Sequence, residues 1–343
     1  MESVFLCKYG NGVGMICPEC NKNHQQKLGV RCECGYRFVF NPAATKGLTD
    51  DKFLDLVRQA GENDRYYFTF ARLYGVWCRS EAMETFALLR LSLAIICIVL
   101  FFIIYFCFSV FGWIGGVISM SLLVLPCLIL EKFRHRKAPD EASFSQLAKK
   151  WCATNGVPAR MLLKPALREP PPEFSEQDLY DYGVERIFIV NRPLLVDLLV
   201  RNNFHAEQRA LVFCRNGYPS YIADQAKKIL EQSPDLPVFL LHDANDDGLT
   251  MADRITVPVQ TVVDLGVTPG QIKELRVLSP LQLEHKEYRA FLDVIPHATL
   301  SALCTAAIAD DVGFEQVLQT WTEGESVIDN YFMTQYGKSD DYV

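Results

Sequence analysis

The chain has 343 residues, of which 50% are hydrophobic, and its 34 Lys and Arg against 41 Asp and Glu give a net charge of −7. This length is enough for two or three domains with cores of their own. The excess of acidic residues lies mainly after residue 138. Because nucleic-acid phosphates are bound by clustered Lys and Arg, this excess argues against a broad nucleic-acid-binding surface. A local basic groove is still compatible with it.

Four of the 12 cysteines form two close pairs near the N-terminus, and the others are scattered or lie in an apolar stretch. This distribution is typical of thiols in a reducing compartment, not of disulfides. The pairs, Cys17-Pro18-Glu19-Cys20 and Cys32-Glu33-Cys34, suit tetrahedral Zn²⁺. Residues 14–42 resemble a zinc ribbon, and we predict a structural zinc ion in residues 1–46, bound by Cys17, Cys20, Cys32 and Cys34. His24 is the alternative to one of these ligands.

A small helical unit is predicted at residues 47–86. Thr49 can cap a helix whose first turn contains Asp50 and Asp51 and which ends near Gly61. The aromatic residues between positions 66 and 79 are interpreted as core or interface. Stacking on nucleic-acid bases is the less favoured alternative, because the stretch lacks densely interleaved basic residues.

Residues 91–130 contain no Asp, Glu, Lys or Arg. A single helix of this length would measure about 60 Å, twice the hydrocarbon core of about 30 Å, so it must break, and glycines within residues 112–116 mark the turn. The sequence predicts a two-helix transmembrane hairpin at residues 87–131, with a buried hairpin of a soluble protein as the alternative. Basic flanks, such as Arg90 and Lys132, place both termini on the cytoplasmic side of an inner (plasma) membrane.

Residues 132–173 are predicted as a juxtamembrane helix and a linker that contains Glu169-Pro170-Pro171-Pro172-Glu173. An α/β domain is predicted at residues 174–277, followed by helices and an acidic tail at residues 278–343. Apolar strands are expected at 186–191, 210–214, 238–242 and 261–265, and helices at 193–202, 220–232, 250–255 and 268–275. Continuous apolar strands separated by helices indicate a parallel sheet covered on both faces.

Polar motifs follow these strands in a fixed order: Asn216-Gly217-Tyr218-Pro219-Ser220, then Asp243-x-Asn245-x-x-Gly248, then Asp264-Leu265-Gly266. In order and spacing, residues 185–275 resemble the Toprim domain, particularly that of the A subunit of topoisomerase VI and its meiotic double-strand-break relatives. That family's DNA-cleaving tyrosine domain has no counterpart here. The predicted fold class is therefore α/β: a Toprim-like (Rossmann-like) parallel-sheet domain facing the cytosol, preceded by a zinc ribbon and a transmembrane hairpin.

The resemblance implies a site at the carboxyl ends of the strands. Toprim enzymes hold Mg²⁺ with a Glu after the first strand and an Asp-x-Asp after a later one, and the matching positions here are Asn191 and Asp243-x-Asn245. Since amides are weak Mg²⁺ ligands and cannot act as general bases, Mg²⁺ binding is expected to be weak. Asp246 and Asp247 could substitute in part. The ligand-contacting residues implied by the resemblance are Asn191, Asn216, Gly217, Asp243, Asn245 and Gly248.

The same loop has a second interpretation. Asp243-x-Asn245-x-Asp247-Gly248 matches the first half of a calcium-binding loop with Gly at its sixth position. The twelfth position, where a Glu is required, is Arg254.

Three hypotheses about function follow. The first is a membrane-anchored, cytosol-facing binding or regulatory protein, more a binder than an enzyme, acting on a nucleotide, a nucleic acid or a protein partner; its setting in bacterial defence or DNA transactions is implied by the resemblance alone. The second is a metal-dependent nuclease or phosphodiesterase that uses Asp243, Asp246 and Asp247. The third is a structural membrane scaffold whose anchor forms homo-oligomers.

Overall fold

The computed structural model describes residues 14–25, 30–42, 44–45, 47–81, 102, 140–169, 183–254, 262–266, 291–310, 312–314 and 316–317. The chain divides into two compact units. The first unit consists of Met1–Val76, Asp140–Ile272 and Tyr288–Val343, and the second of Trp77–Pro139 and Lys273–Glu287. Nearly all described residues belong to the first unit.

The N-terminal region consists of a short hairpin and a helix. Strands β1 (Gly14–Ile16) and β2 (Asn23–Gln25) pair antiparallel, and helix α1 spans Asp50–Ala60. The hydroxyl of Thr49 accepts a hydrogen bond from the Lys52 N–H at 3.2 Å, as predicted for a capping residue. The buried carboxylate of Asp50 accepts from the Tyr36 hydroxyl at 2.9 Å and from two backbone N–H groups, of Val39 and Phe40, at 2.8 Å each. This carboxylate therefore ties the ribbon to α1.

An aromatic core lies beneath α1. It includes strand β3 (Phe68–Thr69), helix α2 at residues 70–81, helix α3 (Glu141–Asn155) and strand β4 (Met161–Leu162), which pairs with β3 in parallel. Phe53 is fully buried and contacts three rings, at centroid distances of 5.4 Å to Phe40, 4.9 Å to Trp151 and 6.4 Å to Phe144. Aromatic residues of the predicted helical unit thus pack in a core, and the core interpretation holds for Phe68 and Phe70.

The predicted parallel sheet is confirmed. Its strands are β5 (Arg186–Val190), β6 (Ala210–Cys214), β7 (Val238–Leu241) and β8 (Val262–Asp264), in the order β6-β5-β7-β8 and all parallel. Four consecutive residues of β5, from Ile187 to Val190, are at most 1% exposed. Since alternate residues of a strand face opposite sides, both faces of the sheet are covered.

Three helices connect the strands: α4 (Pro193–Arg201), α5 (Phe204–Glu207) and α6 (Ser220–Gln232). After β7, the chain forms α7 (Asp246–Leu249) and a 3₁₀ turn (Ala252–Arg254) in place of the helix expected at 250–255. The helix begins earlier because Asn245 caps it: its side-chain oxygen accepts from the Gly248 N–H at 2.7 Å. The helix expected at 268–275 lies outside the described residues.

Two helices near the C-terminus return to the sheet. They are α8 (Phe291–Val294) and α9 (His297–Asp310), and α9 buries Leu300, Leu303 and Cys304. The backbone N–H of Leu292 donates to Asp243 at the end of β7 at 2.9 Å, so α8 lies over the carboxyl ends of the central strands.

The membrane predictions need correction. Within the described ranges, no helix has the length and apolarity that crossing a bilayer requires. Helix α3, for example, has 15 residues and measures about 22 Å. This finding contradicts the fold class with a two-helix transmembrane hairpin and the two-pass inner-membrane location. Both predictions rested on the lack of charged residues between positions 91 and 130. Such a composition indicates that a segment avoids water, but it does not determine the length of a helix. Apart from Phe102, that stretch lies outside the described residues.

Candidate functional site

The four predicted cysteine ligands lie together. Their sulfur atoms are all within 4.8 Å of one another, with 3.5 Å between Cys17 and Cys34 and 3.6 Å between Cys20 and Cys32. A tetrahedral zinc ion with Zn–S bonds of about 2.3 Å has sulfur–sulfur edges of about 3.8 Å, so the cluster fits this ion. Among the described residues, this is the one group of three or more Cys, His, Asp or Glu side chains close enough to hold a metal.

Two tight turns aim the thiols at one another. In the first, the Cys17 N–H donates to the carbonyl of Lys22, and Asn21 has a positive φ of 55°. In the second, the Cys32 N–H donates to the carbonyl of Tyr36 at 2.8 Å, and Gly35 has φ 101°, a conformation that favours glycine. The Cys-x-Cys spacing of the second pair therefore allows all four thiols to come together. Cys34 is exposed, whereas Cys17 is buried.

His24, the alternative ligand, stacks on Phe38 with ring centroids 5.2 Å apart. Its side chain is 6% exposed and belongs to the packing of the ribbon, outside the group of four thiols.

The second candidate site lies at the carboxyl ends of β5 and β7, around Asp243. This carboxylate is completely buried and accepts three hydrogen bonds: from Asn191 Nδ2 at 3.2 Å, from Arg192 Nε at 2.6 Å and from the Leu292 N–H at 2.9 Å. Burial raises the pKa of Asp243, whereas the guanidinium of Arg192 acts in the opposite direction. The Asp243 carboxylate is therefore hydrogen-bonded to three donors of the protein itself.

Arg192 connects two buried acids. Besides Asp243, its guanidinium binds the Asp293 carboxylate through two N–H groups, at 2.8 and 3.3 Å. Asp293 is 2% exposed, and the two carboxylates share one guanidinium. Neither Arg192 nor Asp293 was predicted from the sequence. Arg192 directly follows the predicted site residue Asn191, so its place in the sequence could have indicated a role in the site. Asp293 lies 101 residues from Arg192, and nothing in the sequence connects the two.

The other predicted strand-end residues are buried or form turns. Asn191 is 5% exposed, and its Oδ1 has no hydrogen-bond partner within the described residues. Gly248 could not carry a side chain, because a Cβ would lie 2.1 Å from the carbonyl oxygen of Asp243. Asn216 and Gly217 form the turn after β6, where the Asn216 side chain accepts from the Tyr218 N–H and Gly217 has φ 80°.

The acids that could supplement Asp243 are not gathered around it. Asp247 forms ion pairs with Arg215 and, at 3.7 Å, with Arg254. Asp246 is exposed. Asn245 Oδ1 caps α7, and Asp243 is already engaged by three donors, so the calcium-loop alternative would need oxygen atoms that have other partners.

His242 is a further buried group next to Asp243, and it lies between two acceptors. Its Nε2 is 3.1 Å from the Asp264 carboxylate, and its Nδ1 is 2.9 Å from the carbonyl oxygen of Asp243. The ring also lies directly on Gly266, where a Cβ would approach it to 1.8 Å. Acceptors at both nitrogens favour the doubly protonated imidazolium. Burial lowers the pKa of His242, but the hydrogen bond to Asp264 and the carbonyl outweigh burial, and the net direction is upward.

This pair predicts a pH dependence of stability. Because the folded-state pKa of His242 is raised above its ordinary value of about 6.5, its contribution is fully present below that pH and is lost as pH rises through the folded-state pKa. The free energy of unfolding, measured by urea titration from acid to mildly alkaline pH, should therefore fall on the alkaline side. His242→Gln and Asp264→Asn should each flatten that fall. An unchanged alkaline slope in both variants would contradict the assignment.

Comparisons with family models, curated proteins and solved structures find no match for this chain.

Proposed function

We propose that the protein is a non-catalytic binding or regulatory protein, built from a four-cysteine zinc ribbon and a degenerate Toprim-like α/β domain. The zinc ion would be structural, since its four ligands are all cysteines and leave no open coordination position for a substrate. The Toprim-like assignment rests on the order and spacing of the strand-end motifs and on the parallel sheet.

The observation that carries the non-catalytic proposal is the burial of Asp243 beneath its own chain. The strand order β6-β5-β7-β8 changes direction between β5 and β7, and ligands of such sheets bind in the crevice at the carboxyl ends of these two strands. Here, Leu292 donates to Asp243 and Asp293 pairs with Arg192 at that crevice. A Mg²⁺ ion at Asp243 would have to displace Arg192 and to accept neutral amides among its ligands, which octahedral Mg²⁺ does poorly.

A magnesium titration and a cleavage assay test this proposal together. The purified full-length chain is expected to bind Mg²⁺ no more tightly than about 1 mM, or about −4 kcal/mol, by calorimetry. It is also expected to leave single- and double-stranded DNA intact with Mg²⁺ or Mn²⁺.

Asp243→Asn serves as the variant in the cleavage assay because it removes the charge and retains the size of the side chain. Metal-dependent cleavage that co-elutes with the native chain, and that disappears in Asp243→Asn at a temperature where this variant is still folded, would overturn the proposal in favour of a phosphodiesterase.

A further inference from the structure

A cluster of three arginines and two tyrosines consists of residues that belong to neither site described above. We call it the arginine–tyrosine surface, and its members are Arg65, Tyr66, Tyr67, Arg160 and Arg201. The Arg65 guanidinium lies 5.1 Å from the ring centroid of Tyr66, and the guanidinium groups of Arg160 and Arg201 lie 5.4 and 5.6 Å from that of Tyr67. These are cation–π distances. The five residues come from three segments that are far apart in sequence.

The backbone that presents this surface is held firmly. Asn202, which follows α4, accepts a hydrogen bond from the Tyr67 N–H at 2.7 Å and donates one to the Tyr67 carbonyl at 3.0 Å. Arg160 donates to the carbonyl of Arg65 at 3.1 Å.

The loop before Arg65 is strained. Three consecutive non-glycine residues, Glu62, Asn63 and Asp64, have positive φ angles of 51°, 61° and 60°. Two N–H groups, of Arg65 and Tyr66, donate to the Gly61 carbonyl and hold this turn closed. Asn and Asp tolerate the left-handed region, so the cost falls mainly on Glu62, where the closed turn imposes this conformation.

The three arginines of this surface differ from arginines elsewhere in the chain that pair with acids. Within the described residues, neither Arg65, Arg160 nor Arg201 forms an ion pair, whereas Arg186, Arg209 and Arg254 each pair with a carboxylate. Nearby acids are turned to other donors: Glu62 accepts from the His297 N–H at 2.6 Å, and Glu207 accepts from the Ser301 hydroxyl. Within the described residues, the three guanidinium groups therefore lie together without a bonded carboxylate, and the charges of Glu62 and Glu207 lie nearby.

We propose that the arginine–tyrosine surface binds single-stranded nucleic acid through its phosphate backbone. A guanidinium next to an aromatic ring keeps its N–H edge for two-point contacts with a phosphate, and arginine suits such contacts better than lysine. Guanidinium planes also stack on unpaired bases, which an acidic polypeptide does not offer. This inference goes beyond the proposed function, because it uses residues other than those that bind Asp243 and holds whether or not that site is catalytic.

The test is a fluorescence-anisotropy titration of the zinc-loaded full-length chain. The probes are labelled DNA and RNA single strands of about 20 nucleotides, long enough to cover this surface, at about 50 and 200 mM salt. The triple variant Arg65→Gln, Arg160→Gln, Arg201→Gln should weaken binding at least about tenfold. It should also reduce the salt slope by about 2, since each single-strand phosphate contact contributes about 0.7.

The matched control is Arg186→Gln, Arg209→Gln, Arg254→Gln, which removes the same three charges from ion pairs elsewhere. The affinity of this control variant for the single strands should stay within about twofold of that of the native chain, because total charge contributes less to binding than local contacts do. Equal losses in the two triple variants would overturn the proposal, as would a lack of binding by the native chain at the lower salt. Competition by poly-glutamate as effective as that by an unlabelled oligonucleotide would reassign the surface to an acidic protein partner.

A second variant keeps the test decisive if the glutamine triple does not fold. The corresponding lysine triple retains all three charges but not the two-point contacts. It is expected to keep most of the salt slope and to lose several-fold in affinity. An unchanged affinity in the lysine triple would contradict the specific use of arginine.

Discussion

Replacing Cys17 with serine is expected to abolish stoichiometric zinc binding and to unfold the ribbon. The buried cluster of the ribbon consists of Met15, Cys17, Cys32 and Phe38, so two of its four members are ligands themselves. A core this small does not support folding without a staple. Structural zinc contributes about 10–16 kcal/mol in small zinc units, and this binding energy is folding energy. Metal analysis of the native chain should therefore give one zinc per chain, and the variant should give none.

Hydrogen exchange locates the effect of this substitution. In Cys17→Ser, protection should be lost between residues 14 and 40 and weakened in α1, since Asp50 holds Val39 and Phe40. The control is Cys152→Ser, which changes a half-buried thiol on α3 outside the cluster and should leave the zinc content unchanged. A native chain without zinc, or a Cys17→Ser variant that retains both metal and protection, would refute the assignment.

Asp243→Ala is expected to lower the free energy of unfolding by about 1–3 kcal/mol, because it leaves buried hydrogen-bond donors without an acceptor, while Arg192 keeps Asp293 as its charged partner. The substitution removes the acceptor at 2.6 Å from Arg192 and leaves the buried Leu292 N–H without its acceptor. The loss can be measured by urea unfolding at neutral pH. Asp243→Asn retains an oxygen acceptor in a side chain of similar shape, so its loss should be smaller.

Asp235→Ala is the matched control for this prediction. Asp235 is exposed in the turn before β7, and exposed substitutions of this kind change stability by no more than about 0.5 kcal/mol. If Asp243→Ala costs no more than Asp235→Ala, Asp243 is not the buried anchor that joins α8 to the sheet. The proposal of a non-catalytic strand-end site would then lose its main support.

Much of the parallel sheet could be predicted from local pattern. The strand at 210–214 and the helix at 220–232 begin and end where the sequence placed them. Strands covered on both faces are continuously apolar, and the helices between them have one apolar stripe, so each element carries its own signal. The helix expected at 250–255 was wrong because the cap at Asn245 starts a helical turn earlier, and a single hydrogen bond of this kind is weakly encoded in composition.

The candidate strand-end site could be predicted only in part. Asn191 and Asp243 meet as expected, since the carboxyl ends of adjacent parallel strands lie at one edge of a sheet. Arg192 and Asp293 turn that meeting into a buried ion-pair cluster, and no local rule anticipates it. The charge of a carboxylate is visible in the sequence, but the partner that neutralises it is not.

The sequence by itself determined which four thiols cluster and how strands and helices alternate, because both depend on spacing within a few residues. Only the tertiary structure decided that Asp243 is covered by α8 and that Arg65, Arg160 and Arg201 meet around two tyrosines. The aromatic pair at positions 66 and 67 lacked dense basic neighbours in sequence, and the fold supplies them from distant segments. Such contacts are set by the packing of the core, which brings together residues whose separation along the chain carries no periodic signal.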